Sequence, residues 1–137
     1  MAKLAGGCHC GVIAMEMETS IAPEDAEVRA CGCTFCRGHG ALAWTDPKGR
    51  LSIRIADDRQ VSRYRWGLAT ADFLVCARCG IFVAAVMEDA GSRWATVNVN
   101  ALADRARFTR APQPVSYEGE DREARIARRK QRGTPVG

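Results

Sequence analysis

The chain has 137 residues, of which 47% are hydrophobic and 26% are charged, and its formal net charge is +4. This composition suits one globular domain with a modest core and excludes wholesale disorder. The positive charge is unevenly spread, because residues 105–137 contain nine Lys or Arg and four Asp or Glu. The body of the chain is therefore close to neutral, and its C-terminal end is basic.

The sequence indicates neither a targeting segment nor a membrane segment. Residues 1–17, MAKLAGGCHCGVIAMEM, contain one lysine and no long apolar run, unlike a signal peptide. No stretch approaches the length of a transmembrane helix. We therefore expect a cytoplasmic protein with no membrane partner, in a compartment where thiols stay reduced. An odd number of cysteines, seven, then favours metal binding or catalysis over disulfides.

Short segments with strand character follow one another through the first hundred residues. Large apolar residues occupy every second position of residues 13–17, and residues 81–87 are almost wholly apolar, which predicts a buried central strand. No segment before residue 100 shows helical periodicity over three turns. The sequence therefore predicts a mainly β fold of short antiparallel strands, as a sandwich or open barrel. The other predicted strands are residues 28–31, 41–45, 51–55, 61–66, 71–75 and 94–99.

The C-terminal end is expected to form a separate part. Pro112 and Pro114 precede residues 121–132, DREARIARRKQR, which are good helix formers with Ile126 as their one large apolar residue. We predict a domain of residues 1–110 and a basic C-terminal tail of residues 111–137, extended apart from one exposed helix. Deleting residues 119–137 is expected to leave the fold intact, because the segment offers little apolar surface to bury.

The motif CARCG, residues 76–80, has the C-x-x-C-G spacing of a zinc knuckle. Its two thiolates can reach one metal from a tight turn, and Gly80 allows the backbone to make that turn. The apolar residues on either side predict the tip of a β-hairpin. A pair of free cysteines or a redox pair is the alternative, but a redox C-x-x-C usually opens a helix.

The motif CHC, residues 8–10, offers two more thiolates to the knuckle. If it lies in a strand, Cys8 and Cys10 face the same side and His9 points away, as a surface residue. Together with Cys76 and Cys79 they would make a closed tetrahedral site of the structural type, which ties the N-terminal strand to the hairpin.

The motif CGCTFC leaves Cys31, Cys33 and Cys36 with no fourth cysteine. A zinc ion with three protein ligands keeps one position open for water or substrate, which is typical of a catalytic site. His39, three residues after Cys36, is the competing fourth ligand and would make the site structural. Three thiolates weaken zinc as a Lewis acid but still favour deprotonation of a bound thiol. This ligand set therefore predicts thiol chemistry with a small electrophile such as an aldehyde.

In this order, the motifs GGCHCG, CGCTFCRGHGA and CARCG resemble those of the glutathione-dependent formaldehyde-activating enzyme family, which includes the centromere protein V group. The resemblance covers residues 5–105. It implies a β-tent fold and a carbon–sulfur lyase that joins glutathione and formaldehyde into S-hydroxymethylglutathione, or runs the reverse. It also implies two zinc ions. The structural zinc would be held by Cys8, Cys10, Cys76 and Cys79, and the catalytic zinc by Cys31, Cys33 and Cys36.

A non-catalytic zinc module that binds a protein or nucleic acid is the alternative function. Its main support is the basic run of residues 125–132, whose side chains could contact phosphates. The same run could instead form a solvated face, or recruit an anionic substrate such as glutathione through its carboxylates. We favour the enzyme and expect no nucleic-acid partner. The basic residues of this run are Arg125, Arg128, Arg129, Lys130 and Arg132.

The sequence makes no prediction about the oligomeric state.

Overall fold

Eleven β-strands and two α-helices make up the protein in the computed structural model, which describes residues 1–137. The helices are α1 (Thr34–His39) and α2 (Arg122–Arg132). Single turns of 3-10 helix occupy Pro23–Asp25, Asp58–Gln60, Val99–Ala101 and Arg105–Arg107. The strands are β1 (Ala2–Gly7), β2 (Ile13–Thr19), β3 (Arg29–Cys31), β4 (Ala43–Trp44), β5 (Arg50–Ile55), β6 (Val61–Tyr64), β7 (Asp72–Cys76), β8 (Phe82–Asp89), β9 (Ser92–Asn98), β10 (Gln113–Val115) and β11 (Thr134–Pro135).

The strands form two sheets. The smaller sheet has the order β1-β2-β5 and is antiparallel throughout. The larger sheet has the order β10-β3-β4-β9-β8-β7-β6, and β11 pairs with β9 beside this path. All its pairs are antiparallel except that of β10 with β3. The prediction of a mainly β fold is confirmed, although the larger sheet is mixed and not wholly antiparallel. Strands β10 and β11 were not predicted, and the N-terminal strand lies at Ala2–Gly7, before the CHC motif.

One large core joins the two sheets. Ile13, Met15 and Met17 of β2 are buried, as their alternation predicted, because β2 is the middle strand of its sheet and directs one face inward. They belong to the same cluster as Trp44 of β4 and Val97 of β9. The N-terminal sheet therefore covers one face of the larger sheet.

Strand β8 is buried on both faces. Ala84 belongs to the large core, whereas Ala85 and Met87 belong to a second cluster that also contains Phe73 and Phe82. β8 lies between β7 and β9, so its backbone is paired on both edges as well. Its unbroken apolar sequence is explained by this position, and the prediction of a buried central strand is confirmed.

One short helix, α1, follows β3, although no segment before residue 100 shows helical periodicity over three turns in the sequence. α1 has only six residues, too few to show a helical pattern of apolar residues. Its N-cap is Cys33, whose sulfur accepts a hydrogen bond from the backbone N–H of Cys36, and Gly40 ends it in the left-handed conformation.

No helix in the structure combines the length and the apolar character that a bilayer crossing requires.

Residues 111–137 do not form the extended tail that the sequence predicted. β10 pairs with β3 in parallel, and β11 pairs with β9. The side chain of Thr134 is fully buried, and Val136 packs against the large core. Sheet pairing thus orders a segment that has few apolar residues. The proposed division into a domain of residues 1–110 and a separate tail remains a prediction that a truncated chain would test.

Helix α2 is where the sequence placed a helix. Asp121 caps its N-terminus by accepting a hydrogen bond from the backbone N–H of Ala124 at 2.8 Å. Ile126 packs against the cluster that contains Phe73, and Lys130 pairs with Asp89. α2 therefore docks against the larger sheet, with the face that carries Ile126 turned inward.

Candidate metal sites and the adjoining cavity

The motif CARCG forms the turn between β7 and β8, so the prediction of a hairpin tip is confirmed. Cys76 ends β7 and is fully buried. The backbone N–H of Cys79 donates to the sulfur of Cys76 at 3.4 Å. Gly80 has φ +84°, which a residue with a Cβ rarely adopts. The turn thus directs backbone N–H groups at a sulfur, as the knuckle spacing implies.

The motif CHC approaches the knuckle from a turn rather than from a strand. β1 ends at Gly7, so the strand argument for Cys8 and Cys10 is wrong in its geometry. The turn nevertheless brings both sulfurs to one place. The Sγ atoms of Cys8 and Cys10 lie 3.7 Å apart, and those of Cys10 and Cys76 lie 3.5 Å apart. His9 is exposed and lies outside the group.

The resulting four-cysteine group could hold a metal ion. The sulfurs of Cys8, Cys10, Cys76 and Cys79 all lie within 4.8 Å of one another. Tetrahedral zinc with Zn–S bonds of about 2.3 Å would separate its sulfurs by about 3.8 Å. The spacing and the all-sulfur donor set therefore fit zinc.

Hydrogen bonds favour the thiolate form at the knuckle. Burial raises the pKa of Cys79, but hydrogen bonds from the backbone N–H groups of Ile81 and Cys10, together with those of the Cys76 and Cys10 side chains, outweigh it and lower that pKa to about 6. The thiolate is the form that binds a metal.

The second group consists of Cys31, Cys33 and Cys36, which come from the end of β3 and the start of α1. Their sulfurs also lie within 4.8 Å of one another. The backbone N–H of Cys36 donates to the sulfur of Cys33 at 3.4 Å, in the same manner as in the knuckle. This donor set fits a metal with three protein ligands.

His39 lies outside the three-cysteine group. Its exposed ring lies against Phe35 instead, tilted by 39° with 4.6 Å between the ring centroids, and approaches Phe82 at 5.7 Å. The structure gives no support to the alternative in which His39 is a fourth ligand.

Charge is unevenly shared within the three-cysteine group. The hydrogen bond with Cys36 is the main reason that the pKa of Cys31 falls to about 5, although burial opposes the fall. The backbone of Cys33 and the positive charge of Arg128 act in the same direction. The same contact raises the pKa of Cys36. Before any metal binds, Cys31 thus carries negative charge more readily than Cys36.

A cavity of about 410 Å³ adjoins the three-cysteine group. All three of its cysteines line the cavity, whereas none of the four cysteines of the other group does. Trp66, Phe73 and Phe82 form an apolar part of the wall. Phe35 packs against this wall without lining the cavity.

The part of the cavity wall that α2 forms is basic, in contrast to the apolar part. Arg125, Arg128 and Arg129 line it, and their i, i+3, i+4 spacing places them on one helix face. Glu120 forms salt bridges with Arg125 at 3.1 Å and with Arg128 at 2.7 Å. The guanidinium of Arg128 also lies 3.6 Å from the ring centroid of Tyr117. The sequence indicated a basic run here, and the i, i+3, i+4 spacing of these three arginines is the signal that predicts their shared face.

Arg129 differs from its two neighbours. It forms no salt bridge with Glu120, and its guanidinium lies 6.0 Å from the ring centroid of Phe73. Burial, followed by the positive charges of Arg128 and Arg125, lowers the pKa of Arg129 to about 10. Because that value is well above neutral pH, Arg129 stays charged in the cavity wall.

Comparison with known proteins gives the same family as the motifs. Residues 3–118 match the family described as "Glutathione-dependent formaldehyde-activating enzyme". The chain is also similar to a Rhodobacter sphaeroides protein whose crystal structure was determined as a Northeast Structural Genomics target. The two are 28% identical with a TM-score of 0.56, over 82% of this chain and 99% of that chain. With both cysteine groups inside the matched residues, the chain belongs to the glutathione-dependent formaldehyde-activating enzyme family.

Proposed function

We propose that the protein is a carbon–sulfur lyase-type enzyme acting on adducts of a thiol and an aldehyde, with glutathione and formaldehyde as the expected pair. In the synthetic direction, the thiol sulfur bonds to the carbonyl carbon and the carbonyl π electrons move to oxygen. The thiol proton ends on that oxygen, giving S-hydroxymethylglutathione. The balance needs no oxidant or reductant. A cytoplasmic location, where glutathione keeps thiols reduced, belongs to the same proposal.

The observation that carries the proposal is the position of the cavity. It adjoins the three-cysteine group and not the four-cysteine group. A volume of about 410 Å³ lies within the range of cavities that take small ligands, and it far exceeds what formaldehyde alone would need. The group that would keep an open coordination position is thus also the group that lines a cavity, which supports the proposal.

We assign one zinc ion to each cysteine group. Cys8, Cys10, Cys76 and Cys79 would hold a structural zinc, and Cys31, Cys33 and Cys36 would hold a catalytic zinc. When bound, the second ion favours the thiolate form of an incoming thiol. The apolar wall formed by Trp66, Phe73 and Phe82 would exclude water from the thiol.

The arrangement of α2 favours an enzyme over a nucleic-acid-binding module. Arg125 and Arg128 are paired with Glu120, and less than a fifth of each of these side chains is exposed. Paired arginines that face a cavity are poorly placed to contact an extended phosphate backbone.

Exchange spectroscopy with ¹³C-formaldehyde and glutathione would test the proposal. The zinc-loaded protein should speed exchange between formaldehyde hydrate and the adduct well above the spontaneous rate. Cys36→Ser should lose at least tenfold of that acceleration. His39→Gln is the matched control in the same helix and should retain it, because His39 lies outside the cysteine group. No acceleration by the wild-type protein, or full acceleration by Cys36→Ser, would contradict the proposal.

A further inference from the structure

Two buried side-chain N–H donors have no hydrogen-bond partner anywhere in the protein, and both belong to residues that line the cavity. They are Nε1 of Trp66 and Nε of Arg129. Buried donors are almost always satisfied, so an unpaired pair at one site needs an explanation. Because neither nitrogen has accessible surface in this structure, a ligand that brings acceptor oxygens into the cavity would satisfy both after a small shift of the two side chains.

The charge of Arg129 makes the requirement more specific. Its neighbours Arg125 and Arg128 share the carboxylate of Glu120, which leaves Arg129 without an anionic partner. Glu118, the one carboxylate residue that lines the cavity, is exposed and forms no salt bridge. A partly buried guanidinium without a counter-charge is unfavourable unless an anion binds beside it.

We propose that Arg129, assisted by the indole N–H of Trp66, forms a carboxylate subsite, so that the thiol substrate of this protein must carry a carboxylate. This inference rests on the proposed function for the identity of the thiol. A guanidinium presents two parallel N–H donors that match the two oxygens of a carboxylate. With the cysteine group in the same cavity, one molecule could offer its thiol to the cysteines and its carboxylate to Arg129.

Arg129, the charged residue of the proposed subsite, belongs to α2. The family match ends at residue 118, whereas Arg129 lies in the helix of residues 122–132. The position of α2 depends on Ile126, which packs against the cluster of Phe73 and Phe82, and on the pairing of Lys130 with Asp89. These contacts hold Arg129 beside the aromatic wall independently of any substrate.

Arg129 has one competing role, which is to offset the negative charge of the cysteine group. Its charge interacts with Cys36, as that of Arg128 does with Cys31. In that role a lysine, which keeps the charge, would serve as well as the arginine and would leave the preference for an acid over its ester unchanged. The acid and ester affinities of Arg129→Lys therefore separate the two roles.

The test measures binding of S-methylglutathione and its dimethyl ester to the zinc-loaded full-length protein by calorimetry. The methyl group blocks the thiol, so binding is independent of both turnover and metal ligation by the ligand. The wild-type protein should bind the acid on the order of 10- to 100-fold more tightly than the ester, as for hydrogen bonds to a charged group. Arg129→Gln should abolish most of this preference. Arg132→Gln, which removes the same charge from an exposed position of α2, should retain it.

Three results would overturn the subsite. They are no preference for the acid in the wild-type protein, an unchanged preference in Arg129→Gln, and equal weakening of acid and ester in that variant. Arg129→Lys keeps the charge if the glutamine variant does not fold. It should show a reduced preference, and an unchanged one would mean that the guanidinium does not hold the carboxylate. A normal acid preference in a protein without thiol–aldehyde turnover would remove the lyase proposal and leave the subsite intact.

Discussion

The side-chain oxygen of Thr134 accepts a hydrogen bond from the backbone N–H of Asp46 at 2.8 Å, across 88 residues of sequence. Both residues are buried, and the carboxylate of Asp46 in turn accepts a hydrogen bond from the hydroxyl of Thr19 at 2.7 Å. The last residues of the chain thus complete a buried polar network between the two sheets. This network is the clearest sign that the C-terminal segment is part of the folded structure.

Thr134→Val should destabilise the protein by about 1–3 kcal/mol, because it keeps the side-chain shape and leaves the buried N–H of Asp46 unpaired. Chemical denaturation would measure the loss of unfolding free energy. Thr109→Val is the control, since Thr109 is exposed. An equal, small effect of both substitutions would mean that water replaces the Thr134 hydroxyl without cost.

Deletion of residues 119–137 should lower the melting temperature markedly or make the protein insoluble, contrary to the expectation from sequence. The deletion removes β11 from β9 and takes Val136 off the large core. It also removes the hydrogen bond that the backbone N–H of Gly137 donates to Leu51 at 3.0 Å. A truncated chain that melts at the wild-type temperature would support the division at residue 110 instead.

Cys79→Ser and Cys36→Ser should have different consequences. Cys79 belongs to a group that joins residues 8–10 to residues 76–79, and a structural zinc contributes on the order of 10 kcal/mol to folding. Because net stabilities are about 5–15 kcal/mol, Cys79→Ser should unfold much of the protein. Cys36→Ser should stay folded, because its group joins residues that are already close in sequence. Circular dichroism would measure the difference, and a folded Cys79→Ser beside an unfolded Cys36→Ser would reverse the assignment.

Metal analysis should find two zinc ions in each fully loaded chain, one for each cysteine group. A mild chelator should remove the ion of the three-cysteine group first, because that group adjoins the cavity. Elemental analysis before and after chelation would measure the number of zinc ions in each chain in both states. A single ion that no added zinc increases would leave Cys31, Cys33 and Cys36 as free thiols.

Glu120→Gln should lower the free energy of unfolding by about 1–3 kcal/mol at neutral pH, because it breaks charged hydrogen bonds that are largely shielded from water. The hydrogen bond from Arg128, with that from Arg125, lowers the pKa of Glu120 below its ordinary value of 4.5. A lowered pKa in the folded state means that this stabilisation is present above pH 4.5 and disappears as the pH falls through the lowered pKa.

The stability difference between the wild-type protein and Glu120→Gln should therefore shrink as the pH is lowered below 4.5. Denaturation at several pH values would measure it. Glu123→Gln, at an exposed position of α2, is the matched control and should show no such dependence. A difference that stays constant down to low pH would mean that the salt bridges do not stabilise the fold.

Both cysteine groups could be identified from residue spacing, because C-x-C and C-x-x-C bring two sulfurs together through local backbone geometry. The same is true of most strands, whose apolar alternation reflects a period of two along the backbone. The turn at Cys8 and Cys10 was mistaken for a strand, and this did not alter the group, since either geometry brings the two sulfurs together.

The cavity and its arginine wall depend instead on contacts between residues far apart in the chain. A basic helix with one large apolar residue has little apolar surface to bury, so its sequence alone predicts an exposed tail. It docks because β10 pairs with β3, because Thr134 completes a buried network, and because Ile126 meets the aromatic cluster. Arg129 is unpaired because of the same packing. In the folded protein Glu120 lies close enough to pair with Arg125 and Arg128, and it forms no salt bridge with Arg129.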